Sequence, residues 1–255
     1  MAPLAHKHAL ITGGGSGIGA AIGRALAGAG AAVSLVGRRR ALLQALAAQL
    51  PRAEAIVADV TSEAAIAAMV EAARAAHGPI DMLIACAGAA ESAPAAMIDA
   101  AHWQRMLAVN LTGAFLSARA VLPDVTRPNA VAPRIVFMAS TAGLKGYAYV
   151  AAYCAAKHGL VGLARALAVE LAPRGVTVNA VCPGFTETPL LDAALANITS
   201  KTGRSHAQAR AELMGRNPQG RFIKPEEVAQ TVLWLCSPAA QAITGQAVSV
   251  SGGEV

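Results

Sequence analysis

Short apolar runs alternate with longer helical segments along the whole chain, and this alternation limits the possible folds more than any other feature. Seven runs rich in Ala, Val, Leu and Ile predict strands at 8–12, 32–36, 54–58, 82–85, 134–139, 176–181 and 247–250. Helical spacing predicts helices at 18–29, 41–50, 63–77, 103–122, 151–171 and 225–235. Each crossover must return the chain to the same end of the sheet. We therefore predict an α/β fold whose doubly wound parallel sheet of about seven strands carries helices on both faces.

One domain is expected to span residues 1–255, because no linker, repeat or low-complexity tract divides the chain. Residues 186–222 interrupt the regular alternation with a segment far longer than an ordinary connection. We interpret this segment as an insertion that forms a lid over a substrate. Its basic side chains are Lys201, Arg204, Arg210, Arg216 and Arg221.

Composition and charge bear on the class of partner. Hydrophobic residues make up 55% of the chain but aromatic residues only 4%, which favours closely packed helices over a β-sandwich. The net charge of +6 is scattered, with a single run at Arg38-Arg39-Arg40. Such a run favours a phosphate pocket over a nucleic-acid footprint, and a solvated surface turn is the alternative. No nucleic-acid partner is expected.

The cysteines indicate reduced thiols rather than disulfides or a metal site. They are widely separated, form no CxxC pair and have no clustered histidines near them in the sequence: Cys86, Cys154, Cys182 and Cys236. We expect no metal. The first eight residues lack the apolar core and the cleavage site of a signal peptide, which predicts a cytoplasmic location.

One uncharged stretch, residues 228–253, is long enough to cross a bilayer. Pro238, Gly245 and repeated Gln, Ser and Thr residues interrupt it. We interpret it as a helix, a turn and a buried strand, and we expect no membrane partner.

A glycine-rich segment follows the first predicted strand and precedes a predicted helix. Glycines let the backbone turn tightly and approach a pyrophosphate, while the amides and the dipole of the helix N-terminus stabilise its charge. The strand before it and the helix after it are the context that dinucleotide binding requires. The segment reads Thr12-Gly13-Gly14-Gly15-Ser16-Gly17-Ile18-Gly19.

Tyr153 and Lys157 lie four residues apart in a predicted helix, so their side chains leave the same face one turn apart. A free tyrosine has a pKa near ~10, and a nearby ammonium favours the phenolate and lowers that value. Tyr153 can then act as a general acid or base at a carbonyl oxygen. Ser140 follows the fifth strand at the carboxyl edge of the sheet, where open α/β folds bind ligands, and can donate to the same oxygen. From spacing alone, two surface neighbours are the alternative.

These motifs together resemble the short-chain dehydrogenase/reductase family, whose fold is a Rossmann-type sheet. The glycine spacing Thr-Gly-x-x-x-Gly-x-Gly is that family's variant, and Tyr153 and Lys157 match its catalytic pair. Cys86 departs from the pattern, since it stands where the family has the second Asn of Asn-Asn-Ala-Gly. The further motifs, in order and spacing, are Asp59-Val60, Ala87-Gly88, Asn110, Ser140 and Pro183-Gly184.

The resemblance also implies roles for single residues. Asn110 would hold a water that connects Lys157 to solvent, and a buried asparagine that satisfies backbone groups is the alternative. Lys157, together with Tyr153, would bond the nicotinamide ribose. Further cofactor contacts are implied for Asp59, Val60, Ala87, Gly88, Pro183, Gly184, Thr186 and Thr188.

Cofactor preference is read at the end of the second strand, where a carboxylate would bond the ribose 2′-hydroxyl of NAD. The chain has Arg38 and Arg39 there and no carboxylate. Guanidinium groups can bond the 2′-phosphate, so we expect NADP(H) to be favoured. Ser16 stands where many NADP-dependent relatives carry a further basic residue, so NAD(H) is possible.

The substrate is expected to be a small carbonyl or alcohol. Residues 177–189 and the basic segment after them are similar to 3-oxoacyl-thioester and polyketide ketoreductases, and the basic residues can attract phosphates of coenzyme A or of a carrier arm. A solubilising lid face is the alternative. A secondary-alcohol, cyclic-ketone or hydroxysteroid dehydrogenase is the second hypothesis, and a non-catalytic nucleotide-binding regulator the third. Substrate contacts are expected from Ser140, Tyr153, Leu144, Tyr147, Leu190 and Leu191.

Oligomerisation is expected as well. The predicted helix at 151–171 is alanine-rich and poor in charge. The family packs such helices across two-fold axes, which implies a homotetramer built as a dimer of dimers.

Overall fold

The computed structural model describes residues 3–255 and contains one parallel sheet of seven strands in the order β3-β2-β1-β4-β5-β6-β7. This confirms the predicted fold class. At the centre of the sheet, β1 lies between β2 and β4, and Ala9 of β1 is opposite Met82 of β4. The strands are β1 (His8–Thr12), β2 (Ala32–Gly37), β3 (Ala53–Val57), β4 (Met82–Ala85), β5 (Arg134–Met138), β6 (Thr177–Pro183) and β7 (Ala247–Val250).

Helices cover both faces of the sheet, so central strands such as β1 and β5 are buried along their whole length rather than at alternate positions. One core lies between the sheet and α3, α5 and α6, and the other lies between the sheet and α1, α2 and α9. The helices are α1 (Gly17–Gly28), α2 (Arg40–Ala47), α3 (Glu63–His77), α4 (Ala100–Leu107), α5 (Gly113–Val125), α6 (Ala151–Leu171), α7 (Pro189–Thr202), α8 (His206–Met214) and α9 (Pro225–Cys236).

The predicted stretch 228–253 does form a helix, a turn and a strand. Its strand β7, predicted to be buried, is only half-buried at all four positions. The reason is its place at the edge of the sheet, where it pairs with β6 alone.

The helix predicted at 103–122 is longer and is interrupted. Between α4 and α5, the five residues Ala108–Thr112 form a π-helical turn with Asn110 in it. By length and composition the continuous helix Ala100–Val125 could cross a membrane, with 39% of its most apolar window buried. Length and composition are weak evidence, because helices of soluble folds pass the same test; here α5 packs on α3 and the sheet.

Residues 186–222 contain two helices, α7 and α8, that the sequence analysis did not predict. They pack around a small core of their own, formed by Leu191, Leu195, Ala209, Leu213 and Phe222. The segment is tied at both ends. Thr186 pairs with Ile223 in an isolated parallel β-bridge. Arg221 forms a bidentate salt bridge with Glu227 of α9, with both N–O distances at 2.7 Å.

Candidate active site

The glycine-rich loop leaves β1 at the carboxyl edge of the sheet. The Thr12 hydroxyl oxygen accepts hydrogen bonds from the amides of Cys86 (3.0 Å) and Ala87 (3.1 Å), which joins the ends of β1 and β4. A methyl group at Gly19 would lie 2.2 Å from the Gly13 carbonyl oxygen, and Gly13 itself has a φ of 68°. The loop is therefore a tight cradle that only glycine permits, with the N-terminus of α1 behind it.

This cradle fits a dinucleotide. Backbone approach at a helix N-terminus is what a pyrophosphate needs, and the tight glycine positions provide it. Ile18 packs against the core beneath the loop, and the side of Gly15 faces Leu43. Val60 is buried, and its carbonyl lies against the start of α5 at Gly113.

Two arginines border the loop at the end of β2. Arg39 donates to the Ser16 hydroxyl at 2.6 Å, and Arg38 lies 3.9 Å from the Asp59 carboxylate. The Thr61 amide donates a hydrogen bond to the Asp59 carboxylate and lowers its pKa. The Thr61 hydroxyl and the charge of Arg38 lower this pKa further. Both guanidinium groups are exposed and carry spare donors next to the place where β2 ends.

The structure brings Ser140, Tyr153 and Lys157 together at the ends of β5 and β6. Ser140 follows β5, while Tyr153 and Lys157 lie one turn apart on α6. The Lys157 ammonium lies 5.5 Å from the centre of the Tyr153 ring and donates to the Met138 carbonyl at 2.7 Å. Burial is the main influence on the pKa of Tyr153, and the neighbouring Ser140 hydroxyl acts in the opposite direction by lowering it.

Burial outweighs the effect that the sequence analysis expected from Lys157. It raises the pKa of Tyr153 to about 12, rather than lowering it, and it lowers the pKa of Lys157 to about 8. The physical reason is desolvation, which disfavours both the phenolate and the ammonium. In this environment Tyr153 holds its proton, as a general acid for carbonyl reduction must.

Two thiols flank Lys157. Burial raises the pKa of Cys86 to about 12 and that of Cys182 to about 11, so both are neutral thiols. Cys86 therefore presents a weak donor where the family has an amide side chain. Its backbone amide, held by Thr12, keeps the end of β4 in place.

Asn110 joins the π-helical turn to the loop after β4. Its amide donates to the carbonyls of Ala89 (2.8 Å) and Met106 (3.0 Å), and its oxygen accepts from the Ala89 amide at 3.3 Å. A methyl group on Gly88 would lie 2.9 Å from that oxygen. Asn110 thus makes the backbone bonds that the alternative interpretation named, and its water-holding role stays a prediction.

The segment after β6 closes the site from the other side. Thr188 caps α7 by accepting from the Leu191 amide, and its methyl lies 3.0 Å from the position that a Cβ on Gly17 would take. Thr186 bonds the carbonyl of Gly184, which follows Pro183 at the end of β6. A cavity of about 370 Å³ lies beside this segment, lined by Glu187, Thr188, Pro189, Leu191, Asp192 and Arg210.

The predicted substrate residues differ in their surroundings. Leu190 is exposed, whereas Leu191 is buried in the small core of α7 and α8 and borders the cavity. Leu144 packs against the main core. Tyr147 bonds Thr141 and Glu254, and sequence reasoning missed Glu254 because no local pattern marks a contact across 107 positions.

Among residues 3–255, no three His, Cys, Asp or Glu side chains gather to hold a metal.

Known proteins are similar to this chain in sequence and in overall structure. A family model described as enoyl-(acyl carrier protein) reductase matches residues 13–254. A 2-(S)-hydroxypropyl-CoM dehydrogenase from Xanthobacter autotrophicus is 40% identical, over 95% of this chain and 94% of its own. Two solved structures are similar: an actinorhodin polyketide ketoreductase with NADPH (TM-score 0.93, 37% identity, 97% of each chain) and a 3-ketoacyl-(acyl-carrier-protein) reductase from Brucella melitensis with NADH (TM-score 0.89, 33%, 98% of this chain and 99% of that one).

The chain belongs to the short-chain dehydrogenase/reductase family. It is an NAD(P)-dependent oxidoreductase that interconverts a ketone and a secondary alcohol.

Proposed function

We propose that the protein is a reductase of 3-oxoacyl thioesters, carried on coenzyme A or on a carrier protein, or the corresponding 3-hydroxyacyl dehydrogenase. One observation carries the proposal: Ser140, Tyr153 and Lys157 converge at the carboxyl edge of the sheet, beside the glycine-rich loop. The similar ketoreductase structures support the substrate class.

Each residue has a chemical task. Tyr153 holds the proton that passes to the carbonyl oxygen during reduction, and Ser140 donates a hydrogen bond to that oxygen as negative charge develops. Lys157 provides a positive charge beneath the phenol, and Asn110 fixes the loop that borders the site. The bound nicotinamide supplies or accepts the hydride. Binding of the cofactor would use the loop residues 12–19, with Asp59, Val60, Ala87, Gly88, Pro183, Gly184, Thr186 and Thr188.

NADP(H) is the favoured cofactor in this proposal, since Arg38 and Arg39 stand where a 2′-phosphate would lie. Arg39→Ala should weaken NADPH binding about tenfold, the size of one charge-assisted hydrogen bond, and leave NADH binding unchanged. Titration of nicotinamide fluorescence measures both. Arg52→Ala, at an exposed arginine before β3, is the control. Equal weakening of NADPH and NADH would argue against the preference.

The segment 186–222 is proposed to act as the lid over the thioester. Three of its basic side chains already pair with carboxylates, namely Arg204 with Glu212, Arg210 with Glu187 and Arg221 with Glu227. Lys201 and Arg216 form no salt bridge with residues 3–255. These two are the side chains with charge available for the phosphates of a coenzyme A or carrier arm.

A secondary-alcohol dehydrogenase is the second candidate, because one relative at 40% identity is a 2-(S)-hydroxypropyl-CoM dehydrogenase, named for a hydroxypropyl compound rather than an acyl thioester. Purified protein with NADPH should oxidise the cofactor in the presence of acetoacetyl-CoA, and Tyr153→Phe should abolish that absorbance change. Tyr149→Phe is the matched control, since Tyr149 is 66% exposed. Turnover of simple ketones without turnover of any thioester would replace the first candidate with the second. Tight NADPH binding without turnover of any ketone would contradict both.

A homotetramer, built as a dimer of dimers, is also proposed. Two apolar side chains on the outer faces of α5 and α6 support it: Phe115 is 39% exposed and Val169 is 78% exposed. Light scattering should give about four times the chain mass.

The four free cysteines support a cytoplasmic location, where disulfides are rare.

A further inference from the structure

A buried carboxylate after β7 contacts Tyr147, one of the residues predicted to contact the substrate. Glu254 follows β7, and its side chain is only 1% exposed. Its Oε1 lies 3.1 Å from the Lys145 ammonium and 2.5 Å from the Tyr147 hydroxyl. The Tyr147 hydroxyl in turn lies 2.7 Å from the hydroxyl of Thr141, the residue next to Ser140.

The direction of these hydrogen bonds follows from the donors available. An ionised carboxylate only accepts, so Tyr147 donates its single proton to Glu254. Thr141 must then donate to the Tyr147 oxygen. Tyr147 is therefore committed to Glu254 and has no proton for a substrate, which leaves Tyr153 as the only tyrosine of this pair that can supply one.

The charges in this cluster nearly cancel. Lys145 contributes one positive charge, and it also donates to the Glu254 backbone carbonyl at 3.2 Å. Glu254 contributes one negative charge, and its second oxygen, Oε2, is buried without a hydrogen-bond partner among residues 3–255. That oxygen lies 3.2 Å from the position that a Cβ on Gly184 would take, beside the end of β6. The next basic group, Arg216, lies 5.7 Å from the centre of the Tyr147 ring, close to the 5.2 Å of Lys145, but it is exposed, so water screens its charge.

We propose that Glu254 is a specificity-determining residue. It makes the part of the site beside Tyr147 favour substrates with an uncharged group next to the reacting carbonyl over substrates with a carboxylate there. Glu254 offsets the positive charge of Lys145, which would otherwise attract an acid, and its own negative charge repels one. The substrate class is then 3-oxo esters, thioesters and neutral ketones in preference to free 3-oxo acids. This inference rests on the proposed function, because it concerns the same site.

The test compares two ligands that differ in one charge, acetoacetate and methyl acetoacetate. Their dissociation constants are measured by calorimetry on the NADPH complex of Tyr153→Phe, in which turnover cannot interfere. The ester should bind more tightly than the acid. Adding Glu254→Gln should lower that preference by at least about tenfold, because a unit charge within roughly 12 Å contributes at least that factor at an effective dielectric of ~20. Turnover of the wild-type chain, measured separately, tests the proposed function.

Lys145→Met gives the opposite sign and separates specificity from damage to the fold. It leaves the charge of Glu254 uncancelled, so the preference for the ester should rise. A merely structural role would weaken both ligands in both variants and leave their ratio unchanged. Glu226→Gln removes an exposed carboxylate on α9 and is the matched control, with an unchanged ratio. Ratios that stay within about twofold of the parent in both variants, or failure of both ligands to bind, would overturn the proposal.

Discussion

Burial sets the protonation of the two central residues of the site in opposite directions. It raises the pKa of Tyr153 to about 12 and lowers that of Lys157 to about 8, so each is pushed toward its neutral form. For Tyr153 this serves a general acid, because the phenol keeps its proton until a carbonyl oxygen takes it. For Lys157 it opposes folding, since a charged ammonium is held in a place that solvent cannot reach.

Replacing Lys157 with Met should therefore stabilise the protein while it abolishes turnover. The pKa of Lys157 in the folded protein, about 8, lies below the ordinary 10.5. The loss of stability from burying the charged ammonium is therefore fully present below pH 8 and fades as the pH rises toward 10.5. That shift corresponds to about 3–4 kcal/mol, and about 1 kcal/mol returns because the Met138 carbonyl loses its donor. Urea unfolding at pH ~7 should show a gain of about 2–3 kcal/mol.

The control for that gain is Lys201→Met, which removes an exposed lysine of α7 and should leave the unfolding midpoint near the wild-type value. A Lys157→Met protein that is less stable than the wild type would show that Lys157 contributes more through its contacts than burial removes. Loss of activity alone would not distinguish these cases.

At the scale of single elements, the start of α1 depends on one glycine. A methyl group at Gly19 would lie 2.2 Å from the Gly13 carbonyl oxygen, which is backbone and cannot move aside. Gly19→Ala should abolish NADPH binding or lower the thermal midpoint by several degrees, because the loop must open. Gly28→Ala, at the other end of the same helix, meets nothing within 4 Å and should preserve both properties. Equal behaviour of the two variants would contradict this account of the loop.

Local patterns predicted the strands and most helices to within about two residues at most ends, because apolar runs and helical spacing are local signals. They predicted neither the break between α4 and α5 nor the helices α7 and α8. The π-helical turn around Asn110 depends on bonds to Ala89, across the site, and α7 and α8 are held by a core that Phe222 completes from outside them. Neither dependence is written in a short window of sequence.

The candidate site shows the same division. Tyr153, Lys157 and Ser140 were predicted from helical spacing, from the position after β5 and from family resemblance, and the structure brings them together. Glu254 was not predicted, because its partners lie more than 100 positions away and its neighbours after β7 form no recognisable pattern. The predicted direction of the Tyr153 pKa shift was wrong, because burial raises this pKa and depends on the packed fold rather than on the spacing of two residues.

At the scale of the whole molecule, the two ends of the sheet have different tasks. The carboxyl ends of the strands carry the candidate active site, and the amino ends carry a buried polar network around His8. The ring of His8 bonds the Gly78 carbonyl and the Ser34 hydroxyl, each at 2.9 Å, and its backbone amide donates to Asp81. The His77 ring packs edge-on against it at 5.3 Å between centres. This network ties β1, β2 and the end of α3 together.

Acid should weaken this network before it affects most carboxylates. Burial lowers the pKa of both His8 and His77 from the ordinary 6.5, so the unfolded chain binds more protons than the folded one. Their contribution to stability is complete above pH 6.5 and declines as the pH falls below it, by at most about 1.4 kcal/mol per pH unit for each histidine. The free energy of unfolding in urea should therefore be lower at pH ~5.5 than at pH ~7.5. His8→Gln should reduce that difference, whereas His206→Gln, at an exposed position of α8, should keep it. If His8→Gln keeps the full difference, the acid sensitivity arises elsewhere in the molecule.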